Sequence, residues 1–102
     1  MNYRSDGRYD NLRSECLAEA MDLITGDRNR DYGEPIHNFE RIANGWSIIL
    51  NKIVEPHEVA LCMAWLKIAR LCETPDHKDS YTDAAAYVAL GWQLVNEQGE
   101  NE

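Results

Sequence analysis

The stretch PHEVALCMAWLKIARLC, from Pro56 to Cys72, decides the fold. Val59, Leu61, Cys62, Met63, Ala64, Trp65, Leu66, Ile68, Ala69, Leu71 and Cys72 make it apolar nearly all the way round. Pro56 stands where a helix tolerates proline best, at its first position, because the missing N–H has no intrahelical partner there. A helix without a polar face is covered on more than one side. It is also too short to span a bilayer, which takes about 20 apolar residues. Short helices from the same chain can hardly cover it completely. A second subunit is therefore the expected partner, in a dimer or a higher even oligomer.

Outward from this stretch, three more helices are predicted. The second opens at Glu34-Pro35 and carries Ile36, Phe39, Ile42, Ala43, Trp46, Ile49 and Leu50 at helical spacing. The first runs from Asn11 to Thr25, capped by Asp10 and stopped by Gly26, with Leu12, Cys16, Ala20, Leu23 and Ile24 as its apolar stripe. The fourth begins at Asp79 or Ser80 and continues to Glu97; Ser80-x-x-Asp83 resembles a capping box, and Gly91 permits a close helix approach. No run of alternating β-formers suggests a sheet. The connections are short, which favours antiparallel neighbours. The expectation is an all-α chain: one helical domain over 1–102, a compact four-helix bundle with frayed ends at 1–10 and 98–102.

Composition narrows the function. The formal net charge is −8, which opposes bulk nucleic-acid binding, since that affinity is built from many basic contacts. It opposes an anionic membrane surface in the same way. The first ten residues have no apolar signal-peptide core. The three cysteines, Cys16, Cys62 and Cys72, lie within apolar helical patterns and have no CxxC spacing. Buried free thiols in a reducing compartment are expected. These features point to the cytoplasm, or to the host cytoplasm for a phage-encoded chain.

The charges that interrupt the apolar pattern are the candidates for chemistry. Lys67 and Arg70 are three apart and share a helix face. Their plain structural role is to cover core with their stems; their functional role is to hold phosphate. Asp79 and Asp83 share a face at the start of the fourth helix. They either compensate the helix dipole, pair with Lys67 and Arg70, or hold Mg²⁺, which takes one or two carboxylates and phosphate oxygens. In the loop before the second helix, Arg28 suits bidentate phosphate recognition and Tyr32 can stack on a base. Gly33 allows a tight turn into a helix whose terminal amides attract anions, with Asn38 beyond. The loop is otherwise a solvated connection with a turn glycine. His37, His57 and His77 lack ligand spacing, and no nucleophilic triad, Walker loop or dinucleotide motif occurs.

Arg28-x-x-Asp31-Tyr32-Gly33, His37-Asn38-Phe39 with Trp46, Leu66-Lys67-Ile68-Ala69-Arg70-Leu71, and Asp79-Ser80-Tyr81-Thr82-Asp83-Ala84-Ala85-Ala86-Tyr87 together resemble a family of small phage and prophage proteins. The resemblance runs from about Leu17 to Leu94. That family in turn looks like a distant branch of the MazG-like, all-helical nucleoside triphosphate pyrophosphohydrolases. The resemblance implies a MazG-like bundle that dimerises or tetramerises, with Mg²⁺ on carboxylates. Asp83 and Tyr87 match the family's second acidic helix, and Asp79 an acidic position one turn earlier. Ser80 stands where those enzymes usually carry a Glu, and Lys67-x-x-Arg70 where they carry Glu-x-x-Glu. Two anions become two cations, so metal ligands are lost there and Glu58 or Glu40 would have to replace them.

Three functions follow as expectations. One is a phage-type protein that holds a nucleotide or cyclic nucleotide without turnover, sequestering a defence signal (an anti-defence role). Its phosphate contacts would be Arg28, Lys67, Arg70 and Lys78, with Tyr32, Gly33, Asn38 and Tyr87 around the ligand. The second is a Mg²⁺-dependent pyrophosphohydrolase whose metal sits on Asp79, Asp83 and Glu58. The third is a protein interaction module.

Overall fold

A computed structural model describes residues 8–25 and 34–101, with side-chain surroundings for 11–25 and 34–97. The described residues form four helices and no strand: α1 Arg8–Ile24, α2 Pro35–Leu50, α3 Pro56–Glu73 and α4 Lys78–Asn101. The all-α architecture is as expected. The helix starts differ in detail. Helix α1 begins at Arg8, so Asp10 lies inside it rather than capping it. Helix α4 begins at Lys78, so Ser80 falls in its first turn and is not the cap. Instead the buried Ser80 hydroxyl meets His77 Nδ1 at 2.7 Å, and the Ser80 N–H donates to the His77 carbonyl.

The α2–α3 connection is tightly built. Asn51 adopts the left-handed conformation that ends α2, and the Lys52 N–H donates to the Ser47 carbonyl at 3.2 Å. Ser47 Oγ accepts the Val54 N–H at 2.8 Å and donates back to the Ala43 carbonyl at 2.7 Å. One hydroxyl thus joins the last turn of α2 to the strand-like lead into α3. Glu55 and Pro56 then start α3, where the Glu55 N–H donates to Glu58 Oε1 at 2.9 Å. This satisfies an otherwise unpartnered amide at the helix entrance.

Helices α3 and α4 pack along their lengths, α2 lies mainly on α3, and α1 touches only α4. The core is Phe39, Ala43, Val59, Ala60 and Leu94, with Ile36, Ile42, Trp46, Met63, Tyr87 and Leu90 against it. Phe39 and Tyr87 meet edge to face at 6.4 Å between centroids, a favoured aromatic geometry. Alanines at 43, 60 and 64 let the backbones approach. Gly91 does less than its sequence position implies. A Cβ there would lie 3.5 Å from Leu61 Cδ2, an ordinary contact.

Within the chain α3 is covered on one face only. Leu61, Trp65, Leu66 and Ile68 are exposed. Cys62 and Cys72 are exposed as well, against the expectation of buried thiols, while Cys16 is half-buried. The reason is topological: no described helix of the same chain reaches the outer side of α3. On α1, Cys16, Ala20, Leu23 and Ile24 turn inward, but Leu12 is exposed.

Candidate functional site

The cleft between α1 and α4 is rich in charge. Glu15, Glu19 and Asp22 recur at four- and three-residue spacing on α1, and therefore share a face. Opposite them α4 carries Asp79, Thr82 and Asp83. Glu19, Asp22, Leu23, Asp79, Thr82 and Asp83 line an open groove of about 420 Å³. A smaller cavity of about 130 Å³ adjoins it, lined by Leu23, Ile24, Lys67, Asp83, Ala86, Tyr87 and Leu90. Leu23 and Asp83 are common to both.

Lys67 reaches this place from α3. Its Nζ lies 3.2 Å from Asp83 Oδ2, with the two side chains 23% and 30% exposed. Two turns of α4 hold the other cavity walls, because Asp83, Ala86, Tyr87 and Leu90 recur at three- or four-residue spacing. The result is one ion pair in the wall of a small hollow whose lining is polar and apolar in about equal parts.

The remaining candidates are spread more widely. Arg70 is exposed and forms no ion pair with a described residue. Lys78 is already engaged: its Nζ lies 2.7 Å from Glu19 Oε2 and 3.4 Å from Glu15 Oε1. The Glu19 hydrogen bond chiefly raises the Lys78 pKa; partial burial opposes this, and Glu15 adds to it. Lys78 therefore straps α1 to α4. Asn38 is half-buried near the start of α2. Glu58 is engaged at the α3 entrance. It stands nine residues before Lys67, about 13 Å along the helix axis, and does not join Asp79 and Asp83. Glu40 pairs with His37 at 3.7 Å on α2. Arg28, Tyr32 and Gly33 lie outside the described residues.

Among the described residues, no three His, Cys, Asp or Glu side chains converge closely enough to hold a metal. Four carboxylates line the groove, but they are strung along it.

Sequence reasoning did not single out Glu15, Glu19 and Asp22. Their spacing marks a charged face of α1, yet nothing in it says that the face lies against α4.

The family described as a domain of unknown function, DUF6378, matches residues 15–95. The chain belongs to this family. The DUF6378 region thus includes every helix that lines the cleft. The chain is similar to the Gene 55 protein of Mycobacterium phage D29, at 42% identity over 91 residues, covering 89% of this chain and 60% of that protein. It is also similar to the Gene 55 protein of Mycobacterium phage L5, at 39% identity over 75 residues, covering 72% and 48% respectively. The chain therefore spans about half to three fifths of the length of these curated relatives. No solved structure matches it. A small phage-type family is what the sequence motifs implied. None of the described DUF6378 helices is long and apolar enough to cross a membrane.

Proposed function

We propose that this protein binds a phosphorylated nucleotide ligand at the cleft of α1, α3 and α4, without turning it over. One observation carries this: Lys67, a largely covered ammonium, lines a small hollow and, among the described residues, is paired with Asp83. A phosphate entering there takes over the lysine by a charge-assisted hydrogen bond. The hollow is smaller than the roughly 300 Å³ at which small-molecule pockets begin. It receives one end of a ligand, and the rest lies along the adjoining groove or toward Arg70.

The acidic groove sets a condition. Glu19, Asp22, Asp79 and Asp83 repel a bare polyphosphate. The ligand therefore arrives with its charge reduced, either as a cyclic or monoester phosphate or with a divalent counter-ion. The MazG-like pyrophosphohydrolase is the alternative. It draws on the acids of α4, which with phosphate oxygens would hold the metal; among the described residues no cluster of three ligands adds to them. The basic pair Lys67 and Arg70, in place of two glutamates, supports binding over hydrolysis.

A thermal-shift panel of nucleotides and cyclic dinucleotides, with and without Mg²⁺, tests the proposal. Each stabilising compound is then recovered and chromatographed. A true ligand raises stability with the logarithm of its excess over Kd, loses that effect in Lys67→Ala, and is recovered unchanged. Recovery as monophosphate and pyrophosphate, only with Mg²⁺, would establish the hydrolase instead. A panel in which nothing stabilises the native chain leaves only the interaction module.

A further inference from the structure

The strongest unassigned feature lies on the other side of the molecule. Leu61, Cys62, Trp65, Ile68, Ala69 and Cys72 recur every three or four residues along α3, and all are exposed. The stripe runs from Glu58 to Glu73 without a charged side chain on it; Lys67 turns instead to Asp83. Leu61 packs over Gly91, so the surface continues onto α4. There Val88, Trp92 and Val95 are exposed at the same spacing. Trp65 is 67% exposed and Trp92 74%. Between α2 and α3 the surface sinks into an apolar groove of about 540 Å³, walled by Trp46, Leu61, Cys62, Trp65 and Leu66.

The size of this face points to a permanent partner. Trp65 and Trp92 alone, 67% and 74% exposed, leave about 300 Å² of it in water, since aromatic side chains bury about 150–250 Å² each. The largest patch on a typical monomer is about 300–600 Å², and a standard interface takes about 800 Å² from each partner. Left in water, such a face would promote indiscriminate association, even in a chain of net charge −8.

We infer that its occupant is a second copy of this chain, with the two α3 helices antiparallel and crossing at Trp65. Two features favour a copy over another protein. A two-fold interface sets one patch against itself, and this patch holds both a groove and an indole to fill it. The stripe also matches its own reversal. About an axis at Trp65, which meets its own copy, Leu61 comes opposite Ala69 and Cys62 opposite Ile68, so in those two pairs a large side chain meets a small one. Such pairing of the inner helices builds a bundle core across two chains. It leaves the Lys67–Asp83 cleft open on the far side of each α3, so the inference stands independently of ligand binding.

Sedimentation of the full chain over a concentration series, without ligand, tests it. The native protein is expected at twice its 11.7 kDa chain mass. Trp65→Glu and Trp92→Glu should each give the single-chain mass with an unchanged helical circular dichroism spectrum, since both indoles face water within the chain. Met21→Glu, an exposed change on α1, should leave the dimer intact. Native cysteines then report the register. In a Cys16→Ser, Cys72→Ser background, Ile68→Cys should form an interchain disulfide with Cys62 on mild oxidation, and adding Cys62→Ser should abolish it. A native chain that sediments at single-chain mass throughout overturns the inference. So does a dimer that survives both tryptophan changes, or a cross-link that persists in Cys62→Ser.

Discussion

Lys67 Nζ and Asp83 Oδ2 lie 3.2 Å apart where α3 meets α4, and Asp83 lines both a small hollow and the acidic groove beside it. The pair is partly screened by solvent, so it contributes little to stability by itself. Its value lies in holding a cation at the rim of the hollow. Lys67→Ala and Asp83→Ala should each lower stability by about 1 kcal/mol, and their coupling in a double-mutant cycle should be about 0.5–1 kcal/mol. Urea unfolding of the four proteins measures this. Additive losses would mean that the pair makes no net contact in solution.

Lys78 straps α1 to α4 through Glu15 and Glu19. Its folded pKa is raised above the ordinary lysine value. The sign follows from proton linkage. The strap contributes fully while pH stays below the unfolded lysine pKa, and it is lost as pH rises through the higher folded one. Thermal melts of native protein and Lys78→Met should differ slightly at neutral pH and low salt, and converge under strongly alkaline conditions. Added salt should narrow the neutral-pH gap, because the pair is exposed. A gap that is flat with both pH and salt would count against the strap.

Gly91 lies mid-helix with room for a methyl group beside Leu61. Gly91→Ala should therefore raise stability by about 0.5–1 kcal/mol, the usual difference between the two residues in a helix interior. A higher Tm in calorimetry checks it. A lower one would show that Leu61 cannot yield, or that the dimer face needs the glycine.

Leu94 is fully buried at the junction of α2, α3 and α4. Leu94→Ala removes atoms from a core that is otherwise rich in alanine and slow to collapse around a gap. A loss of about 3 kcal/mol is expected, read as a lower denaturant midpoint with unchanged slope. A loss under 1 kcal/mol would place Leu94 outside the cooperative core.

Ser47→Ala should loosen the α2–α3 connection, because the hydroxyl carries the Val54 N–H. About 1 kcal/mol is the expected loss. Faster hydrogen exchange at the Val54 amide locates the effect.

The sequence alone determined the helices. Pro35 and Pro56 stand at helix starts because a helix tolerates proline there, and α2 shows its inner face through Phe39, Ala43 and Trp46 at helical spacing. Periodicity also exposed the anomaly of α3, a helix with no polar side. What it could not supply was the identity of each neighbour. Spacing says which residues share a face, never which helix that face meets. So the acids of α1 have no place in the sequence pattern until α4 is set against them. Lys78 looked free until Glu15 and Glu19 came within reach. Glu58 looked available until the α3 axis carried it away from Asp83. Lys67 and Asp83 show both halves of the lesson. The sequence marked each as a charge inside an apolar pattern, while only the packing of α3 on α4 decided that the two charges meet, because their separation depends on helix register and crossing rather than on any local preference.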